Sequence, residues 1–142
     1  MVENKYPEKD IPPVDYPSVL ERVGGDKSFL KELLNLYFED FSEKYEQLLK
    51  AIEQKKFDLI RELGHSLKGS SANLSLTFLQ ETASHMEVAG RERNVEKAKK
   101  ALALLEQEFK RLKDFLSKKK DNSLTEVENS SILAKYNRSG KK

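Results

Sequence analysis

Cysteine is absent from this chain of 142 residues, and neither sign of charge is in large excess. Without cysteine the chain forms neither disulfides nor thiolate metal sites, which excludes the secreted disulfide-rich class. The 26 lysines and arginines nearly balance the 24 aspartates and glutamates, so the formal net charge is only +2. Because a nucleic-acid-binding surface needs clustered basic residues, no nucleic-acid partner is predicted.

Long apolar runs are also missing. The longest ones, such as Ala101–Leu105, are far shorter than the roughly 18–20 residues that cross a bilayer. Residues 1–10 are polar and charged and lack the apolar core of a signal peptide. These absences predict a cytoplasmic protein without a membrane association, and Met1 together with the compact length favours a stand-alone chain.

Apolar residues that recur at three- and four-residue steps predict four amphipathic helices. Their predicted ranges are 27–54, 57–74, 76–91 and 95–116. Asp26, Ser75 and Asn94 are the predicted N-caps of the first, third and fourth of these helices. A shorter helix over residues 16–23 ends at a Gly-Gly pair.

The predicted fold is all-α: an antiparallel up-down four-helix bundle with a short N-terminal cap helix. Short connections favour this arrangement because they join helices that lie side by side. The residues predicted to face the core are Leu30, Leu33, Leu34, Tyr37, Phe41, Leu48, Ile52, Phe57, Leu59, Ile60, Leu63, Leu67, Leu74, Leu79, Ala83, Met86, Gly90, Val95, Ala98, Leu102, Leu105, Phe109 and Leu112.

Composition divides the chain into three parts. Residues 1–14 contain three of the four prolines, which predicts an extended lead-in. Residues 15–117 hold the helical bundle. Residues 118–142 are rich in lysine, serine and asparagine and predict a flexible, disordered tail. A short partner-binding helix around Ile132 and Tyr136 is the alternative for that tail.

The third predicted helix carries a histidine on its outer side. At 100° per residue, its buried face comprises Leu67 and the residues within about 60° of it, Ile60, Leu63, Gly64, Ser71 and Leu74. His65 lies about 160° from Leu67, with Gly69 and Ala72 within about 40° of the histidine. An interior helical glycine costs about 1 kcal/mol relative to alanine, and a bare surface beside the imidazole is one use for that loss.

The side chains around His65 suit a carrier of phosphoryl groups. An imidazole is largely neutral and nucleophilic near pH 7, and the phosphoramidate that it forms is labile. Lys68, one turn ahead, and Arg61, one turn behind, are cations within reach of such a group. Because phosphoryl transfer depends mostly on positioning and charge neutralisation, a carrier needs an exposed ring, a cation and a bare docking surface, and this helix offers all three.

A carboxylate metal centre is the first alternative. Such bundles use a Glu-x-x-His pair on each of two helices. Glu62 and His65 have this spacing, but Glu81 and His85 are four residues apart, and the first pair points away from the core. No metal ligand is therefore predicted, and His85 is interpreted as a surface or partly buried residue.

Residues 65–72, His-Ser-Leu-Lys-Gly-Ser-Ser-Ala, resemble the motif of histidine-containing phosphotransfer (HPt) domains. That motif is His-x-Leu-Lys-Gly-Ser-Ser followed by an apolar residue. Residues 25–26, 86–87 and 90–91 are similar to the family's flanking pattern, and the resemblance covers Asp15 to Leu116. Two departures are serine at position 75, where the family usually has glycine, and glycine at position 64 in place of alanine, which favours closer packing of the neighbouring helix.

The resemblance implies a phosphorelay intermediate that exchanges a phosphoryl group reversibly with an aspartate of its partner and has no kinase activity. His65 matches the phosphoacceptor, and Lys68 matches the residue that steadies the phosphoryl group. Gly69 matches the position kept small for the partner. Glu87 matches a position where some relatives place a polar residue near the histidine.

The implied partners are the receiver domain of a response regulator and a sensor or hybrid histidine kinase. The receiver domain is expected to supply the Mg²⁺, whereas this chain binds no cofactor and acts as a monomer. Arg61 and Ala72, which flank the histidine, are assigned to the partner-binding surface with Gly69 and Glu87. The alternative is a helical adaptor that kept the motif and lost phosphotransfer.

Overall fold

A computed structural model describes residues 11–123, and the side chains of residues 11–118. This part of the chain is all-helical, as predicted, and contains no strand. Its helices are α1 (Tyr16–Arg22), α2 (Lys27–Glu53), α3 (Phe57–Asn73), α4 (Thr77–Arg91) and α5 (Val95–Ser123). None of them combines the length and the apolar character that crossing a bilayer requires.

The four long helices enclose one apolar core. α3 and α4 share the most extensive contact, α4 also packs on α5, and α2 packs on both α3 and α5. All of the residues predicted to face the core are buried, except Leu33, Leu59, Val95 and Leu102, which are half-buried. Phe38, which was not predicted to face inward, is also buried, and its ring lies edge-on to Phe109 at 5.6 Å between centroids.

Three turns of the same design connect α2 to α5. In each turn the second residue (Lys55, Ser75 or Arg93) has left-handed backbone with φ of 54° to 56°. The amide of the next residue then bonds back into the helix that is ending, as Leu76 N does to Ser71 O at 2.9 Å. These bonds satisfy the last carbonyl groups of each helix and set the direction of the next one.

The prediction of Ser75 as the N-cap of α4 is wrong. Leu76 occupies that position, and no side chain caps the helix. Ser75 instead ends α3 in the left-handed conformation that glycine adopts most readily. The other two predicted caps are confirmed: the Oδ1 atoms of Asp26 and Asn94 each accept a bond of 3.0 Å from an amide in the first turn of their helix.

The last helix is longer than predicted. α5 continues to Ser123, beyond the expected end at Leu116 and into the segment assigned to the tail. The apolar periodicity ends there, but residues 117–123 contain neither glycine nor proline, and their lysines favour the carboxyl end of a helix dipole. Residues 124–142, with the possible helix around Ile132 and Tyr136, and residues 1–10 of the lead-in lie outside the described residues.

The segment that precedes α1 is fixed to the bundle at two points. Asp15 N donates to Ser75 O at 3.0 Å, in the turn between α3 and α4. Arg111 Nη1 donates to Ile11 O at 3.2 Å, while its Nε donates to the buried carboxylate of Glu108 at 3.0 Å. α1 is thereby held at the end of the bundle where α3 terminates.

A buried hydroxyl pair joins α2 to α3. Tyr37 Oη and Ser71 Oγ lie 2.8 Å apart in the core. Burial raises the pKa of the Tyr37 phenol, so the group stays protonated at any physiological pH. Ser71 therefore belongs to the packing of the bundle, although it stands in the same sequence motif as His65.

We expect Ser71→Ala to lower the free energy of unfolding by about 1–3 kcal/mol, because it leaves the Tyr37 hydroxyl buried without its partner. Tyr37→Phe together with Ser71→Ala should cost less than the two single losses added together, since it removes both polar groups. Urea unfolding at pH 7 measures all three variants. Strict additivity would contradict an energetic coupling between the two hydroxyls.

Candidate functional site

His65 projects from the outer side of α3. The inner side of the same helix is anchored by the buried residues Ile60, Leu63 and Leu67. The imidazole of His65 remains 68% exposed. The helix therefore presents the ring to solvent from a backbone that is held firmly in the core.

One carboxylate connects the two residues predicted to act on a phosphoryl group. Glu87 Oε2 lies 3.1 Å from His65 Nδ1, and Glu87 Oε1 lies 2.7 Å from Lys68 Nζ. Glu87 comes from α4 and is only 12% exposed, whereas Lys68 is 35% exposed. Lys68, predicted as a cation within reach of a phosphoryl group on the ring, is paired with Glu87 while the histidine is unmodified.

The Lys68 ammonium lowers the pKa of the Glu87 carboxyl, and the bond from His65 lowers it further, although burial opposes both effects. Glu87 is therefore ionised at neutral pH. An ionised carboxylate only accepts hydrogen bonds, so the short contact with His65 requires a proton on Nδ1. In the neutral ring the lone pair then lies on Nε2, the nitrogen that faces away from Glu87.

Two glycines bring the backbones of α3 and α4 into contact beside this site. A methyl group added to Gly64 would lie 2.6 Å from Glu87 N, and one added to Gly90 would lie 2.5 Å from Arg61 N. Both distances are shorter than any tolerated carbon–nitrogen contact. The expectation that glycine at position 64 permits closer packing of the neighbouring helix agrees with this geometry.

The surface beyond His65 is bare. A methyl group added at Gly69, one turn ahead, would meet no atom within 4 Å. Ala72, a further turn along, is half-buried, and its carbonyl accepts a bond of 3.2 Å from Arg22 Nη1. Arg22 also donates to Asn73 O at 3.1 Å, which caps the end of α3 from α1.

The sequence does not reveal the role of Arg22. Its contact spans 50 residues of chain, and the only local signal was a basic residue before the Gly-Gly pair. Arg61, by contrast, was predicted near the ring. It is exposed, and within the described residues its side chain forms no ion pair with Glu87.

The second histidine lies apart from this site. His85 is exposed and lines a groove between α4 and α5 with Val88, Lys100 and Leu104. In the described part of the chain, no three acidic or histidine side chains are grouped so that they could hold a metal ion. The candidate site is thus the set His65, Lys68 and Glu87 with the open position at Gly69.

An exposed histidine held by a carboxylate and flanked by a lysine, on the outside of a helical domain, offers the nucleophile and the cation that a phosphocarrier domain needs. The family model of the Hpt domain matches residues 32–115, which is more than half of the chain. This chain therefore belongs to the Hpt family, whose members are phosphocarriers in two-component phosphorelays and interact with receiver domains and kinases. Neither the curated proteins nor the solved structures include a match to it.

We expect Glu87→Gln to reduce stability at pH 7 and to have a smaller effect in acid. A carboxyl whose pKa is lowered in the folded state stabilises the fold above its ordinary value of 4.5, and this contribution is lost as pH falls through the folded value. Urea unfolding of both proteins at pH 7 and pH 3 measures the difference.

Glu92→Gln is the matched control, because Glu92 pairs with Lys97 at 2.7 Å but both side chains are 48% exposed. A solvent-screened pair of this kind contributes about 0–1 kcal/mol. If the loss caused by Glu87→Gln at pH 7 were no larger than that of the control, Glu87 would not be the stabilising acceptor described here.

Proposed function

We propose that this chain is a phosphorelay intermediate that accepts a phosphoryl group on Nε2 of His65. It then transfers the group reversibly to or from the aspartate of a response-regulator receiver domain. The observation that carries this proposal is the hydrogen bond that His65 Nδ1 donates to Glu87, from a ring that is otherwise open to solvent. That bond leaves the exposed nitrogen as the nucleophile.

The transfer step follows from this geometry. The Nε2 lone pair attacks the phosphorus of a phosphoaspartate, the P–O bond to the aspartate breaks, and the aspartate leaves as a carboxylate. The ring becomes cationic as the P–N bond forms, and Glu87 stabilises that charge through the Nδ1 proton. The reverse step returns the phosphoryl group to a carboxylate and restores the neutral ring.

Lys68 stabilises the phosphorylated histidine that this step produces. In the unmodified chain its ammonium is paired with Glu87 at 2.7 Å. A phosphoryl group on Nε2 offers it oxygen atoms with more negative charge than one carboxylate oxygen, and the long lysine stem allows the ammonium to turn toward them. Lys68 therefore exchanges partners within the site when His65 is phosphorylated.

The docking surface is the outer side of α3 beyond the histidine. The open position at Gly69, with Ala72 further along, admits the rim of a receiver domain close to the ring, and Arg61 contributes a cation at the opposite edge. The receiver domain supplies the Mg²⁺ and the phosphoaspartate pocket, and a sensor or hybrid kinase supplies the phosphoryl group to the relay. The chain needs no kinase activity, nucleic acid, membrane or second copy for this role, which suits a cytoplasmic monomer.

The same proposal includes the arrangement of the helices. We propose that α2 to α5 run alternately up and down as an antiparallel bundle, with α1 as a cap at one end. The three-residue connections and the contact that closes α2 onto α5 support it. This arrangement keeps one side of α3 free for the partner.

Mixed with receiver domains that carry phosphoaspartate, the wild-type chain should take up phosphate that is labile in acid and stable in alkali, because nitrogen holds it. His65→Gln should take up none, since the nucleophile is missing. His85→Gln is the matched control and should be labelled like the wild type. A folded wild-type chain that remains unlabelled across the receiver domains of its source organism would support the adaptor alternative instead.

Gly69→Arg should slow phosphotransfer by tenfold or more, because a large side chain then fills the open surface one turn from His65. Stability should not fall, since arginine favours a helix by about 1 kcal/mol relative to glycine. Gln107→Arg adds the same side chain at an exposed position of α5 and should leave the rate unchanged. Equal rates in all three proteins would remove Gly69 from the docking surface.

A further inference from the structure

The bond between Glu87 and His65 depends on how closely α4 approaches α3 at Gly64. The atoms nearest to a methyl group at this position would be Glu87 N at 2.6 Å, Glu87 Cα at 2.9 Å and Ala83 O at 3.1 Å. All three belong to the backbone of α4, so no side-chain rotation can relieve the contact. A side chain at position 64 would therefore move the helix that carries Glu87.

We propose that Gly64 is a positioning residue that sets the tautomer of His65 by holding Glu87 against α3. Its importance for phosphotransfer rests on the function proposed above, but its effect on the imidazole does not. Gly64 has no polar side chain and cannot touch a phosphoryl group. It acts through the distance between two helix backbones.

The Glu87 side chain has little freedom to compensate for a shift of its helix. Its two oxygens are engaged by different partners, with His65 at 3.1 Å and Lys68 at 2.7 Å. Removing the clash needs a displacement of about 1 Å. The lysine can follow the carboxylate on its flexible stem, whereas the imidazole is attached close to the backbone of α3. At a distance of about 4 Å between His65 Nδ1 and Glu87 Oε2, the hydrogen bond is lost.

The tautomer of the ring changes when this bond is lost. With an ionised acceptor at Nδ1, the proton stays on that nitrogen and the Nε2 lone pair remains available. Without the acceptor, the neutral ring exchanges between its two tautomers. In the tautomer that carries the proton on Nε2, the exposed nitrogen has no lone pair. A methyl group at position 64 should therefore reduce the fraction of His65 rings that are ready to react.

The first measurement needs no partner. With ¹⁵N-labelled histidine, long-range ¹⁵N–¹H correlation spectra at a pH where the ring is neutral report which nitrogen carries the proton. The wild type should give the Nδ1–H form, and Gly64→Ala should shift the ring toward the Nε2–H form. Gly90→Ala places a methyl group of α4 against the backbone of α3 at Arg61, so it should also separate the two helices and shift the tautomer in the same direction. It provides a second variant if the first does not fold.

The second measurement separates positioning from a general loss of structure. The rate of phosphotransfer from a receiver domain should fall about tenfold in Gly64→Ala, which corresponds to the loss of one charge-assisted hydrogen bond. Glu87→Ala should lower the rate similarly, and adding Gly64→Ala to it should lower the rate no further. Ile52→Val, which removes a buried methyl group from α2, is the stability control and should keep both the wild-type tautomer and rate.

A folded Gly64→Ala protein with the wild-type tautomer would overturn the proposal, as would an undiminished effect of Gly64→Ala in the Glu87→Ala background. The proposed function fails separately, through the absence of phosphate on the wild-type His65. In that case the tautomer measurement still decides the role of Gly64.

Discussion

The direct contact between the backbones of α3 and α4 is the constraint on which the site depends. Gly64 of α3 and Gly90 of α4 each leave room for the backbone of the other helix. The two glycines lower helix propensity in both elements, yet the helices they belong to share the most extensive packing in the bundle. Apolar burial elsewhere in α3 and α4 offsets that cost, and the gain is an acidic side chain brought within hydrogen-bond distance of an exposed histidine.

The geometry around Glu87 explains how an exposed imidazole acquires a defined chemical state. A histidine on a helix surface normally exchanges freely between its tautomers and contacts only water. Here one carboxylate oxygen orients the ring and the other holds the lysine, so a single residue from the neighbouring helix organises both. The low exposure of Glu87 protects these bonds from competition by water and salt.

Periodicity alone was sufficient to predict the helical class, nearly all core positions and the outward direction of His65, because these depend on which side of a helix is apolar. Periodicity does not show which residues of another helix lie against each face. The pairing of Lys68 with Glu87 and the cap that Arg22 places on α3 join elements that are distant in sequence, and no local pattern encodes them. Ser75 was predicted as an N-cap because serine is common at that position. Its left-handed backbone at the end of α3 cannot be inferred from the residue type.

The three short connections bear on how quickly the chain assembles. Since each helix from α2 to α5 is joined to the next by only three residues, most of the packing between helices forms between neighbours in sequence, above all between α3 and α4. Topologies dominated by local contacts cross their folding barrier in microseconds to milliseconds. A bundle of this kind regains its native arrangement soon after any transient opening, so the alignment of the histidine with its carboxylate is interrupted only briefly.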